Sequence, residues 1–290
     1  SAASDVYKRQ TIGGAVKAED MLPLVQKYFG SIPRGPEVTD AAKTFVKLPE
    51  TRYISMEDNV HLPLVYIAYP TAYATHQDEA ALDILSEILG GGNNSLLYKN
   101  LVKNQLAVQA AVSHPCRELA CEFSLYALPH PASGKTLADI EQVIRASLTE
   151  FEQRGVTDDD LLKVKAKIEA SSIFGLQSVS GKVSQLAASQ TFRGKPDTIA
   201  DDIARYNAVT KEDVMRVYNT YIKNQHSVVM SVVPKGQKQL IAKADNFTPV
   251  KHDFGGPSKT KAEDLQVRKA VDTFDRSKQP MAGMNPAVEL

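Results

Sequence analysis

Cysteine is scarce. The two residues present, Cys116 and Cys121, are too few for a disulfide framework. They flank an expected hairpin turn and can face each other, but cross-strand bridging demands close geometry, so a free reduced pair is the plain expectation. Net charge is also lacking: 34 basic residues balance 34 acidic ones. That balance argues against a nucleic-acid footprint or an electrostatic membrane anchor. Long apolar runs are missing too. The best, Leu62 to Tyr69, contains Pro63 and is far too short to span a bilayer. No charged, apolar, small-residue signal peptide opens the chain. What remains is ordinary globular composition, 43% hydrophobic over 290 residues, enough for one large domain or two small ones. Residues 1–10 carry no apolar periodicity and read as a non-native scar. On that reading the true N-terminus is missing, and the lack of a signal peptide carries no information on compartment.

Local patterning gives the elements. Met21, Leu22, Val25, Tyr28 and Phe29 recur at helical spacing, with Gly30 as a stop. One such helix cannot bury its own apolar face, so it is expected to belong to a domain mostly absent here. Leu64 to Ala68 reads as a buried strand. Thr75 and Asp78 have capping-box spacing ahead of the apolar series Ala81, Leu82, Leu85, Ile88 and Leu89. Gly90, Gly91 and Gly92 end that helix, and Asn93 or Asn94 is placed to cap a short second one. Leu106 to His114 and Cys121 to Leu128 read as an antiparallel hairpin. Three more boxes, Thr136 with Asp139, Thr157 with Asp160, and Thr210 with Asp213, open helices. The second of these is expected to continue past Gly175 and Gly181 toward Phe192. Ser227 to Val233 is a closing strand. Strands and helices are segregated, which predicts an α+β fold, an antiparallel sheet covered by helices.

The run Gly90-Gly91-Gly92-Asn93-Asn94-Ser95-Leu96-Leu97-Tyr98-Lys99-Asn100-Leu101-Val102 resembles the glycine-rich helix junction in the second, catalytically silent half-domain of insulinase/pitrilysin-type zinc metallopeptidases, the inverzincins. Leu106-Ala107-Val108, Gly155-Val156-Thr157, Ala208-Val209-Thr210 and Val232-Val233-Pro234-Lys235-Gly236 follow in that family's order. Upstream, LVQKYFGSIPRGP from Leu24 to Pro36 resembles the end of the first half-domain. Phe274 to Lys278 resembles the linker of long bacterial members with two modules. The resemblance implies a division into a scar at 1–10, the end of a catalytic-type half-domain at 11–36, a linker at 37–51, a non-catalytic half-domain of the mitochondrial-processing-peptidase type at 52–237, and a linker or extended tail at 238–290. It implies a clam-like peptide chamber, a partner catalytic half-domain, peptide substrates and an exported, periplasmic location. It also implies zinc in the missing half-domain, on an inverted H-x-x-E-H helix.

That helix needs two histidines at i and i+4 and a glutamate to activate water. The nearest run here is His76-Gln77-Asp78-Glu79-Ala80, where alanine stands in the second ligand position. His114, Cys116, Cys121 and His130 are zinc-competent types around the hairpin, but their spacing matches no standard site, and they read as strand-end residues. His61, His226 and His252 are isolated. Many family members hold substrate with an arginine and a tyrosine after the junction; the corresponding stretch, one residue short, offers Val102 and Val108. The triple glycine lacks the Gly-Lys-Ser/Thr ending of a phosphate loop. No catalytic residue, metal ligand or cofactor is therefore expected in this chain. Gly91, Gly92, Asn93, Asn94, Ser95 and Tyr98 are the candidates for contact with peptide. The competing expectation is a scaffold or binding protein of the same fold, with no peptidase in the parent.

Overall fold

The computed structural model describes residues 10–33 and 41–250. Its centre is a five-stranded sheet of β1 (Arg52–Asp58), β2 (Leu64–Pro70), β3 (Ala107–Ser113), β4 (Glu122–Pro129) and β5 (Val228–Pro234), in the order β1-β5-β2-β4-β3. β2 runs antiparallel to β4 and β5, and β3 antiparallel to β4. Those four strands fall within two residues of their expected bounds. The fifth, β1, was not expected as a strand. It pairs parallel with β5, from Arg52 opposite Val228 to Asp58 opposite Pro234, so the sheet is mixed at that edge. None of its residues is fully buried, which is why its sequence shows no clean alternation.

Alternation elsewhere makes one face apolar. Val65, Ile67 and Tyr69 of β2, Phe123, Leu125 and Ala127 of β4, and Val229 and Val233 of β5 point into a single core. Three helices close it. α2 (Glu79–Gly90) contributes Leu82, Leu85 and Leu89, α3 (Leu137–Arg154) contributes Ile140, Ile144 and Phe151, and α7 (Lys211–Tyr221) contributes Val214, Val217 and Tyr218. Each large side chain so buried contributes roughly 1.5–3 kcal/mol. Phe151 meets Tyr218 edge-on at 5.1 Å, and the Tyr218 hydroxyl donates to the Leu148 carbonyl at 3.1 Å.

The boxes at Thr136, Thr157 and Thr210 all form, each threonine accepting from the aspartate N–H three residues on and each aspartate accepting in return. The box expected at Thr75 and Asp78 does not. Thr75 lies at φ 73°, and its N–H donates to Glu79 Oε2 at 2.9 Å. The Asp78 carboxylate turns away to Arg216 and Tyr221 of α7, at 2.8 Å each. The continuous helix expected past Gly175 is also two helices, α4 (Asp158–Gly175) and α5 (Val179–Arg193). Leu176 and Gln177 fold back on Ile173 and Phe174, and Ser178 Oγ caps the new helix by accepting from the Gly181 N–H. α6 (Ile199–Ala208) leads into α7.

Helix α1 (Ala18–Phe29) forms where expected and stops at Gly30. None of its residues is buried, and Leu22 and Tyr28 are each 66% exposed. Beyond Gln237 the chain still packs on the domain: Leu240, Ile241 and Ala242 lie against the core. Asn246 then clasps β1. Its side chain accepts from the Tyr53 N–H at 2.7 Å and donates to the Thr51 carbonyl at 2.9 Å, while its own N–H donates to the Tyr53 carbonyl at 3.2 Å.

Candidate functional site

The glycine-rich junction sits where α2 meets the edge strand β3. A Cβ on Gly90 would lie 2.2 Å from the Val112 nitrogen and 2.6 Å from the Val112 Cβ, so the missing side chain is what lets helix and strand touch. The Gly91 N–H closes the helix on the Glu87 carbonyl at 2.8 Å. Gly92 takes φ +98° beside open space. Asn93 and Asn94 are exposed, and neither is the cap. Ser95, which is buried, has its Oγ 3.4 Å from the Tyr98 N–H, at the start of a π-helical turn, Tyr98–Lys103. A short buried serine reaches that N–H better than an exposed asparagine can. Asn100 ties the turn to α3 by donating to Ser147 Oγ at 2.9 Å and Glu150 Oε2 at 2.8 Å. Of the six candidate contacts, Gly92, Asn93 and Asn94 are open, Gly91 and Tyr98 half-buried, and Ser95 sealed. Val102 is half-buried and Val108 exposed, and neither offers a polar group.

His76 is engaged locally. Its Nδ1 accepts from the Asp78 N–H at 3.1 Å, and its ring packs edge-on to Phe45 and Tyr73. Ala80 faces the core at 1% exposure, so the position of a second ligand is turned away from solvent. His130 Nδ1 accepts from the Ala132 N–H in a separate short turn, which removes it from the hairpin group. His61 is exposed, His226 lies near Thr51 at the start of β5, and His252 is outside the described residues.

His114 is different. Its side chain is fully buried, with Nδ1 2.7 Å from Asp83 Oδ1 and Nε2 2.9 Å from Thr71 Oγ1. A carboxylate oxygen only accepts, so Nδ1 carries the proton, and in the neutral ring Nε2 accepts from the Thr71 hydroxyl. The other Asp83 oxygen accepts from the Tyr206 hydroxyl at 2.5 Å. Burial, and then the Asp83 charge and hydrogen bond, push the Tyr206 hydroxyl far above its usual range. Thr71, His114 and Asp83 have the connectivity of a nucleophile, base and orienting acid. Thr71 is nonetheless only 4% exposed, so no substrate carbonyl can reach its hydroxyl. The string serves as a brace that ties the ends of β2 and β3 to α2 and α6.

Cys116 and Cys121 are bonded to each other across the hairpin tip, with Cα atoms 4.2 Å apart, and are not the free pair expected. The close antiparallel bridge between these two residues supplies the geometry. Cys116 borders a cleft of about 510 Å³ whose walls include Thr75, Glu79, Arg117, Phe192 and Arg193.

The family model described as the peptidase M16 inactive domain matches residues 11–168, more than half of the chain. The zinc protease PqqE of Helicobacter pylori is 26% identical over 225 residues, covering 76% of this chain and 50% of that protein. A probable mitochondrial-processing peptidase subunit beta of Arabidopsis thaliana is 22% identical over 229 residues, covering 76% of this chain and 43% of that protein. Among solved structures, a protease from Helicobacter pylori superposes with a TM-score of 0.64 at 26% identity, covering 76% of this chain and 53% of that one. The periplasmic protease PqqL from Escherichia coli superposes at 0.58 with 14% identity, covering 77% of this chain and 25% of that one, a likeness of fold alone. The chain spans about half the length of the curated relatives it matches.

Proposed function

Since this chain belongs to the peptidase M16 family, as its inactive domain, we propose that it is the non-catalytic half of a zinc-dependent endopeptidase and completes the chamber that holds peptide. The observation that carries this reading is Ala80, buried in the core where a second histidine of the zinc helix would have to stand. The zinc-activated water then belongs to the partner catalytic half-domain, which supplies the nucleophile for peptide hydrolysis. This chain's part is to position and enclose. Asn93, Asn94 and Tyr98 offer hydrogen-bonding groups beside a glycine-rich backbone, a surface suited to an extended peptide. The exposed apolar side chains of α1, Leu22 and Tyr28 among them, are suited to packing against a partner catalytic half-domain. An exported, periplasmic location fits the bonded cysteine pair, because such bonds persist in oxidising compartments.

The test is complementation. The zinc-bearing half of the parent protein is assayed against a mixed peptide pool, alone and with this chain added. Activity is expected to rise on addition, and this chain alone is expected to hydrolyse nothing. Full activity of the zinc-bearing half, unchanged by addition, refutes chamber completion.

A further inference from the structure

The cleft beside the hairpin tip adjoins a smaller cavity of about 250 Å³, and Thr75, Phe192 and Arg193 are walls of both. The larger, at about 510 Å³, has the size of a ligand pocket. Between them the walls carry four cations, Lys43, Arg117, Arg193 and Arg205, against three anions, Glu79, Glu118 and Asp202. In a chain of zero net charge that surplus is local.

Two of the anions are already engaged. Glu79 Oε2 accepts from the Thr75 N–H at 2.9 Å and from Arg205 Nη1 at 2.6 Å. Asp202 Oδ1 accepts from Arg193 Nη1 at 2.5 Å and from Arg205 Nη2 at 3.4 Å. These pairs hold the guanidiniums in place without exhausting them. Arg193 keeps Nε and Nη2, an edge that grips a carboxylate with two parallel hydrogen bonds. Arg205 Nε is buried and meets no acceptor, so that cation gains from a further anion nearby. Arg117 is exposed on the tip, and its side chain has no carboxylate partner among the described residues.

An apolar wall stands beside these donors. Phe192 is 56% exposed where it borders both cavities, and Ala74 and Ala188 line the larger one. An apolar side chain laid on that ring would shed water with it. Thr75, at φ 73°, is held in a left-handed conformation rare for a β-branched residue, and such outliers concentrate at ligand sites.

We propose that this recess binds peptide through a carboxylate held by Arg193 and Arg117, with a neighbouring apolar side chain of the peptide against Phe192. The carboxylate is that of the peptide's C-terminus or of an aspartate or glutamate side chain. Peptide as the ligand rests on the proposed function; the preference for a carboxylate rests on the arginines. Glu118 at the rim works against a multiply charged anion such as phosphate.

The test is titration calorimetry of the whole chain, its cysteine bond intact, with three acetylated alanine-rich pentapeptides that end in phenylalanine. One has a free C-terminal carboxylate, one is the amide, and one is the amide with glutamate before the phenylalanine. At least one carboxylate peptide is expected to bind tenfold or more tighter than the plain amide, and which one does so identifies the source. Arg117→Gln, Arg193→Gln and Phe192→Ala should each weaken that binding at least tenfold. No binding, equal binding of all three peptides, inorganic phosphate bound as tightly as peptide, or unchanged affinity in the variants overturns the assignment. Should Arg193→Gln fail to fold, as judged by circular dichroism, Arg117→Gln and Phe192→Ala decide alone. Because binding is measured on this chain by itself, the recess can fail here while complementation still succeeds, and the reverse.

Discussion

Replacing Gly90 with alanine sets two effects against each other. Alanine favours a helix over glycine by up to about 1 kcal/mol. A Cβ at that position would stand 2.2 Å from the Val112 nitrogen and 2.6 Å from Val112 Cβ and Cγ2. No contact so short survives, so α2 and β3 must part, and overpacking of this kind costs about 1–3 kcal/mol or more. The obstacle is strand backbone, not the end of a flexible side chain, so the upper part of that range applies. The net expectation is a loss of about 1–2 kcal/mol, or roughly 2–8 °C in Tm for a domain of this size. Urea and thermal unfolding measure it. Gly92→Ala is the companion: no atom stands in its way, yet φ +98° is strained for any side chain, and about 1 kcal/mol should be lost. A Gly90→Ala protein as stable as its parent would refute the close helix–strand contact and leave the triplet needing a reason outside the fold.

Three further outcomes are expected. If the chain helps to form a peptide chamber as proposed, Tyr98→Ala in the parent protein should change KM for peptides and leave the melting temperature within a degree or two; lost stability with unchanged KM would place Tyr98 in the fold alone. Asp78→Ala should cost about 2–3 kcal/mol in urea unfolding, because it strips Tyr221 of its acceptor and leaves Arg216 only the 3.5 Å contact to Asp213, whereas Tyr221→Phe should cost only about 1 kcal/mol; equal losses would contradict the shared clamp. The carboxyls of Asp139 and Asp213 are held below their ordinary values, first by the backbone N–H of Thr136 and Thr210 and then by the threonine hydroxyls. Depressed folded-state values mean stability that is present above the unfolded carboxyl value near 3.8 and lost as pH falls through the folded ones. Unfolding free energy should therefore decline below about pH 4, and less steeply in Thr210→Ala; equal slopes in the two proteins would remove the cap from the account.

What was legible in the sequence is what short-range geometry decides. Thr136, Thr157 and Thr210 find their aspartates three residues away, so the helix starts could be read directly. Phe123, Leu125 and Ala127 alternate because β4 lies between two neighbours and buries one face. Thr75 and Asp78 have the same spacing as the true boxes, yet Asp78 is claimed by residues 138 and 143 positions away. Competition of that kind leaves no local trace. The brace at His114 joins Thr71 and Asp83 across 43 and 31 positions, and Asp83 reaches Tyr206 across 123. Strand β1 was overlooked for a related reason, since its order comes from β5 and from Asn246 and not from an apolar face of its own. The family resemblance supplied the domain type, and the matching inactive-domain model agrees with it. The junction at Gly90 to Ser95 was placed correctly as a helix end, but which residue caps the next turn depended on burial.

Asn246 makes the two margins of the sheet unequal. With its side chain and its own N–H it satisfies three backbone groups of Thr51 and Tyr53, in effect a sixth strand one residue long. Unpaired margins invite the addition of another chain's strand. β3 ends the sheet at the other side, and there both α2, at Gly90 and Val112, and the turn Tyr98–Lys103 pack against it. A chain cut after Gln237 would lose the clasp and free the Thr51 and Tyr53 backbone groups at the β1 margin for the strand of another chain.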